Sequence, residues 1–211
     1  MTPNIKTKLK NEMQVRSMQV FAPVADAKRI DSNFYVEGYA ARFEPYVFFE
    51  DENGPVYERF ERGCFDNCDM SDIILQFNHQ GTVMARQSND SLIVEVDENG
   101  LFTAADLSRT EAARRLYEEI SAGMITKMSW GFYPGTYYYD RESRTIIHKT
   151  VKKVFDVSAV SIPANNNTEI NARGWVNGVI DLAARSEAEL DERRRKLRLK
   201  LNLQEVNRNE N

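Results

Sequence analysis

The sequence predicts an α+β fold, a mostly antiparallel and barrel-like β-sheet with one main helix at about 108–123 and charged tails that are flexible or helical. Two observations predict it: many short apolar or aromatic segments are separated by turn residues, and only one segment has a clear helical period. With 211 residues, of which 42% are hydrophobic and 28% charged, the chain has room for one good-sized globular domain plus tails.

The strands are predicted from aromatic content and alternation. Residues 33–43 are rich in aromatic side chains, which favours a strand. Residues 91–96 and 101–107 flank Asp97-Glu-Asn-Gly100, an Asn-Gly turn that indicates a hairpin. Further strands are expected at 71–77, 128–139, 145–151 and 154–162, and residues 56–65 are either a strand or an irregular segment.

The predicted helix has a start signal, an apolar stripe and a stop signal. Ser108-Arg-Thr-Glu111 fits a capping box, in which Ser108 would cap the first turn. Leu116 and Ile120 lie on one stripe, and Gly123 is a typical residue for the C-terminal end.

Charge divides the chain into three parts. Residues 1–33 carry a net charge of +3 and are expected to be a flexible or processed basic leader, residues 34–184 form an acidic body at −9, and residues 185–211 form a charged tail at +2. Basic ends of this kind bind nucleic acid or acidic protein surfaces, or are simply solvated, whereas an acidic body argues against dedicated nucleic-acid binding. No apolar run suits a membrane span or a secretory signal, so the cytoplasm is the default compartment.

Three residues stand out as candidates for chemistry. His79 follows an apolar strand, Ser129 lies two residues before Gly131, and Asp156 interrupts the apolar run Val154–Ile162. A serine nucleophile needs a base, and a buried carboxylate beside an imidazole would hold its tautomer. On local sequence alone each also fits a plain structural role: a surface histidine, a strand serine or an edge aspartate.

An ordered set of motifs resembles the prohead, or capsid maturation, serine proteases of tailed bacteriophages, which are distant relatives of the herpesvirus capsid maturation protease. The motifs are Val36-Glu-Gly-Tyr-Ala40, Phe77-Asn-His-Gln80, the 91–107 hairpin, the 116–123 helix end, Met128-Ser-Trp-Gly-Phe132 and Phe155-Asp-Val-Ser-Ala-Val-Ser-Ile-Pro-Ala164. The resemblance covers about residues 34–170 and implies that 34–184 is the protease domain.

The resemblance implies that His79 is the general base and Ser129 the nucleophile. Asp156 is the preferred third member, and His148 is the alternative because the herpesvirus relative uses a second histidine. No metal and no cofactor are expected.

The resemblance also implies the biology. The substrates would be the scaffolding protein, the major capsid protein and the protease itself, and the place of action would be the host cytoplasm, inside the viral procapsid. No membrane partner is expected, and homo-oligomers are compatible with this role. Two other hypotheses stay open: a non-enzymatic scaffold or assembly module with the same fold, and a metal-dependent hydrolase built on His79.

Overall fold

The computed structural model describes residues 14–19, 28–161, 180, 183–186, 188–198 and 200. Within these ranges the chain is mostly β-strand, arranged in three antiparallel-rich sheets with one main helix. The α+β class is therefore confirmed, whereas barrel-like closure stays a prediction because the strands are divided among separate sheets.

The strands are numbered in chain order. They are β1 (Gln14–Gln19), β2 (Tyr35–Arg42), β3 (Tyr46–Asp51), β4 (Gly54–Phe60), β5 (Ile74–Phe77), β6 (Gln80–Arg86), β7 (Leu92–Val96), β8 (Gly100–Asp106), β9 (Lys127–Pro134), β10 (Tyr137–Asp140), β11 (Thr145–His148) and β12 (Val151–Val160). The sheet orders are β1-β9-β12-β5-β6, β10-β11-β4-β3 and β2-β8-β7.

The main helix, α1, spans Glu111–Ser121 and confirms the predicted element. Its cap differs from the prediction: Thr110 accepts a hydrogen bond from the Ala113 amide at 3.1 Å, while Ser108 bonds to Asp106 instead. The helix begins two residues later than a Ser108 cap would place it, because Thr110 has the extended backbone that a cap requires.

Several strands differ from the sequence predictions. The single strand expected at 128–139 is two strands, since Gly135 and Thr136 form a turn against Thr150 between β9 and β10. The strands β1, β3 and β6 were not predicted. Regular structure was expected to begin near residue 33, but β1 already contributes an edge to the five-stranded sheet. Residues 1–13 and 20–27 of the predicted leader lie outside the described residues.

The charged C-terminal segment was predicted to be flexible or helical. Its described residues 185–186, 188–198 and 200 are helical. In the described part of the chain, no helix is both long and apolar enough to traverse a bilayer.

The core is built around a cluster of aromatic rings between the sheets. Trp130 stacks on Phe132 with ring centroids 4.2 Å apart, and Phe60 of β4 meets both rings edge-on. All three side chains are buried. This packing fixes β9 from one face, so the residues that alternate with Trp130 and Phe132, including Ser129, face the other way.

Candidate active site

His79 sits in a two-residue turn between β5 and β6. Asn78 and His79 both have positive φ, 53° and 56°, and Phe77 pairs with Gln80 across the turn. Such turns usually carry Asn-Gly, because a side chain at the second position is strained. Here the turn is held by Asn78, whose Oδ1 accepts from the Ser161 amide at 3.0 Å. A strained histidine fixed in this way is typical of a functional site.

Sheet register brings the other two candidates to the same place. In the antiparallel pair β9–β12, Ser129 lies opposite Ser158, and Asp156 lies two residues along on the same face. The parallel pair β12–β5 aligns Ala159 with Phe77, which places the β5–β6 turn beside this face. Three distant parts of the sequence therefore converge at one end of the sheet.

The three predicted residues form a continuous chain of contacts. His79 Nε2 lies 2.6 Å from Ser129 Oγ, and His79 Nδ1 lies 2.6 Å from Asp156 Oδ2. With the proton on Nδ1, the ring donates to the carboxylate, and Nε2 is left to accept from the serine hydroxyl. The arrangement can therefore deprotonate a serine oxygen and stabilise the resulting imidazolium.

Ser158 supports this chain of contacts and was not predicted from the sequence. Its hydroxyl donates to Asp156 Oδ2 at 2.8 Å and accepts from the His79 backbone amide at 3.1 Å. One buried hydroxyl thus ties the carboxylate to the strained turn. The signal was present in the sequence, since Ser158 follows Asp156 at the spacing that places two strand residues on one face.

His148, the alternative third member, lies in a different sheet, on β11. It is fully buried, stacks on Phe60 at 4.5 Å, and its Nε2 lies 2.8 Å from Glu58 Oε1. The imidazole that contacts Ser129 has its second nitrogen against Asp156 instead.

A second buried cluster surrounds Glu58, and the sequence did not predict it. Arg16 of β1 binds both carboxylate oxygens of Glu58, with Nε at 2.5 Å from Oε2 and Nη2 at 2.9 Å from Oε1. Tyr46 also donates to Glu58, and the guanidinium lies 4.3 Å from the ring centroid of Phe48. Glu58 alternates with the buried Val56 and Phe60 in β4, so its charge falls at a core-facing position. This placement is the feature of the sequence that could have predicted a buried ion pair.

Ionisation of Glu58 is strongly favoured despite its burial. Desolvation by burial raises its pKa, but the positive charge of Arg16 and the hydrogen bonds from His148 and Arg16 outweigh that effect and lower the pKa to about 2. Burial acts to lower the pKa of Arg16, and the charge of Glu58 overcomes this and raises it. The cluster is therefore a buried ion pair.

The strand that carries Arg16 is the immediate sheet neighbour of the strand that carries the candidate nucleophile. β1 pairs antiparallel with β9 in a register that sets Ser17 opposite Ser129. Ser129 Oγ lies 2.9 Å from the carbonyl oxygen of Arg16 and its side chain is 0% exposed. The single proton of the serine hydroxyl can therefore be donated to either of two acceptors, this carbonyl oxygen or Nε2 of His79.

The contacts of His79 leave neither ring nitrogen available to bind a metal ion. Both ring nitrogens of His79 are engaged, by Ser129 and Asp156, and no group of three or more metal-ligating side chains occurs among the described residues.

A hydroxyl, an imidazole and a carboxylate in contact, carried on a mostly β fold, are the arrangement found in serine hydrolases. Comparison of the sequence with family models supports this class and narrows it: residues 24–177 match the caudovirus prohead serine proteases. The chain therefore belongs to this family of capsid maturation hydrolases from tailed bacteriophages. Searches of the curated proteins and of the solved structures returned no match.

Proposed function

We propose that the protein is a serine endopeptidase that cleaves segments of scaffolding and capsid proteins, and itself, within a phage procapsid. Ser129 is the nucleophile, His79 the general base, and Asp156 the residue that orients and stabilises the imidazole. The single observation that carries the proposal is the position of His79, with one ring nitrogen 2.6 Å from Ser129 Oγ and the other 2.6 Å from Asp156 Oδ2.

The reaction follows from these contacts. His79 takes the hydroxyl proton as Ser129 Oγ attacks the carbonyl carbon of a peptide bond, and Asp156 stabilises the positive ring. The protonated His79 then gives its proton to the departing amine, which leaves an acyl-enzyme on Ser129. Water, deprotonated by His79, attacks the ester, releases the new carboxylate and restores the hydroxyl.

Labelling with a fluorophosphonate tests the proposal. The reagent is expected to modify Ser129, located by peptide mass spectrometry, and Ser129→Ala is expected to abolish modification. Ser121→Ala, at the exposed end of α1, is the matched control and should label as the wild type does. Because β1 covers Ser129, labelling should be followed over hours.

Co-expression with the scaffolding and major capsid proteins of the same phage supplies the substrate test. Wild-type protein should shorten one or both, while Ser129→Ala should reduce cleavage by at least about 10³-fold. If the wild type neither labels at Ser129 nor cleaves these proteins, the proposal is wrong and the assembly-module hypothesis takes its place.

A further inference from the structure

We propose that β1 occupies the protease's own substrate-binding edge, that the Arg16–Ser17 bond is a self-cleavage site, and that Glu58 makes the enzyme select arginine before the cleaved bond. This inference rests on the proposed function and names its substrate chemistry. It is argued from the position of β1, the burial of Ser129 and the surroundings of Arg16.

The first argument is the way in which β1 is bound. It is an extended six-residue strand at the edge of the five-stranded sheet, and its neighbour there is β9, the strand that carries Ser129. Adding an extended segment to a sheet edge is a common mode of peptide recognition, in which main-chain bonds hold the peptide and side-chain pockets provide specificity. β1 therefore lies as a peptide substrate of β9 would lie.

The second argument is which peptide bond meets the nucleophile. Ser129 Oγ lies 2.9 Å from the carbonyl oxygen of Arg16, and the register sets Ser17 opposite Ser129. The carbonyl that Ser129 contacts is therefore that of the Arg16–Ser17 bond. Its oxygen accepts from the hydroxyl here, and attack requires Oγ to shift from this oxygen to the carbonyl carbon. With its side chain 0% exposed, Ser129 has no room for another peptide while β1 stays in place.

The third argument is the pocket for the Arg16 side chain. Glu58 binds the guanidinium through both oxygens and is itself held by Tyr46 and His148, while Phe48 packs against the guanidinium. All four of these residues come from the four-stranded sheet, on strands β3, β4 and β11. Without Arg16, the pocket would contain the buried carboxylate of Glu58, held in place by its hydrogen bonds to Tyr46 and His148. Such a carboxylate binds a guanidinium group through both oxygens.

The chemical step is balanced by one water molecule. Ser129 Oγ bonds to the carbonyl carbon of Arg16, the bond from that carbon to the Ser17 nitrogen breaks, and His79 carries the hydroxyl proton to that nitrogen. Water then replaces Ser129 on the acyl group. The products are a peptide that ends in the Arg16 carboxylate and a chain that begins with the Ser17 amine.

Intact-mass spectrometry and N-terminal sequencing of the purified full chain test the inference. The wild type is expected to gain an N-terminus at Ser17, and Ser129→Ala is expected to keep residues 1–16. Arg16→Gln should slow this cut by at least about 100-fold, since the pocket then holds an unpaired carboxylate, whereas Arg16→Lys should slow it about tenfold. Fluorophosphonate labelling of Ser129 in each Arg16 variant serves as the check on the active centre.

Glu58→Gln tests the pocket from the other side. The variant should reduce the rate of cleavage after Arg16. In the Glu58→Gln background, the rates of the Arg16 and Arg16→Gln chains should differ by less than about tenfold. Ser129 should still be labelled by the fluorophosphonate. If the Arg16→Gln chain does not fold, a synthetic peptide of residues 12–20 with arginine or glutamine at position 16 replaces it, added to wild-type or Glu58→Gln protein that has already lost residues 1–16. A purely structural Glu58 would leave this ratio unchanged.

The outcomes separate this inference from the proposed function. If Ser129 labels but the chain keeps residues 1–16, or is cut at another bond, β1 is only a structural strand and the inference is wrong while the protease stands. Equal cleavage after arginine and glutamine would likewise overturn the role of Glu58. If Ser129 does not label and nothing is cut, both fail together.

Discussion

The carboxylate of Asp156 lies 2.6 Å from Nδ1 of His79, although 77 positions separate the two residues in the chain. The contact depends on the parallel pairing of β12 with β5, because that pairing carries the β5–β6 turn to the end of the sheet where Asp156 lies. The turn itself has positive φ at Asn78 and His79, so the imidazole is held by the fold and does not depend on a flexible loop.

Asp156→Asn should lower the rate of Ser129-dependent cleavage by roughly 10³–10⁴-fold, because the amide no longer stabilises the imidazolium or its tautomer. The measurement is the first-order rate of the cut, with thermal unfolding to show that the fold is kept. Asp66→Asn changes an exposed carboxylate and should cleave at the wild-type rate. If Asp156→Asn kept nearly the wild-type rate, Asp156 would have no catalytic role.

Ser158→Ala should lower kcat for cleavage of an added peptide of residues 12–20 by about tenfold, with little change in KM, as measured by steady-state kinetics. The variant removes the hydroxyl that donates to Asp156 and accepts from the His79 amide, so it loosens the geometry of the reacting groups without touching the substrate. We expect a loss of about 1–2 kcal/mol in the free energy of unfolding. A change confined to KM would contradict this positioning role.

Acid should weaken the Arg16–Glu58 pair in a predictable range. Folding lowers the pKa of Glu58 from its ordinary value of 4.5 to about 2, so the native state favours the ionised form. The stabilisation is therefore complete above pH 4.5 and is lost as the pH falls toward 2, because protonation then costs the native state more than the unfolded state.

Urea unfolding at a series of pH values, with Ser129→Ala in both chains so that Arg16 stays attached, measures this effect. At neutral pH, Glu58→Gln should cost about 3 kcal/mol, since it removes one partner of a buried ion pair. Between pH 4.5 and 2 the difference between wild type and Glu58→Gln should shrink. A constant difference across that range would show that the ion pair does not contribute.

Gly100→Ala should destabilise the β7–β8 hairpin by about 3 kcal/mol or more. Gly100 has φ of 153°, and a Cβ there would lie 2.0 Å from the carbonyl oxygen of Ala41, so the paired strand β2 would have to move. Gly123→Ala is the matched control: it also has positive φ, 70°, but open space, and should cost about 1 kcal/mol. Equal losses in thermal or urea unfolding would contradict the steric argument.

Local sequence signals predicted the elements whose causes are local. The turn residues Asp97-Glu-Asn-Gly100 predicted the β7–β8 hairpin, and the apolar stripe through Leu116 and Ile120 predicted α1. The three candidate residues were selected from local sequence, and their roles were implied by the family resemblance. The structure places His79 in contact with both Ser129 and Asp156. Their catalytic roles remain a prediction that the variants above test.

The elements that sequence reasoning missed depend on distant partners. β1 buries the polar side chains Gln14 and Arg16, so its apolar pattern gives no period-two signal, and Arg16 is stabilised by Glu58, 42 positions away. β3 could have been predicted, because Tyr46-Val-Phe-Phe49 has the aromatic content typical of a strand. A charge pair between two strands of different sheets cannot be inferred from either strand alone.

If the Arg16–Ser17 bond is cut as proposed, the burial of Ser129 beside β1 separates the start of proteolysis from its later rate. That first cut would take place within one molecule, so the delay before it would not depend on the concentration of neighbouring copies. The supply of other proteins would matter only afterwards. A protease of this kind would leave an assembling shell time to close before its proteins are cut.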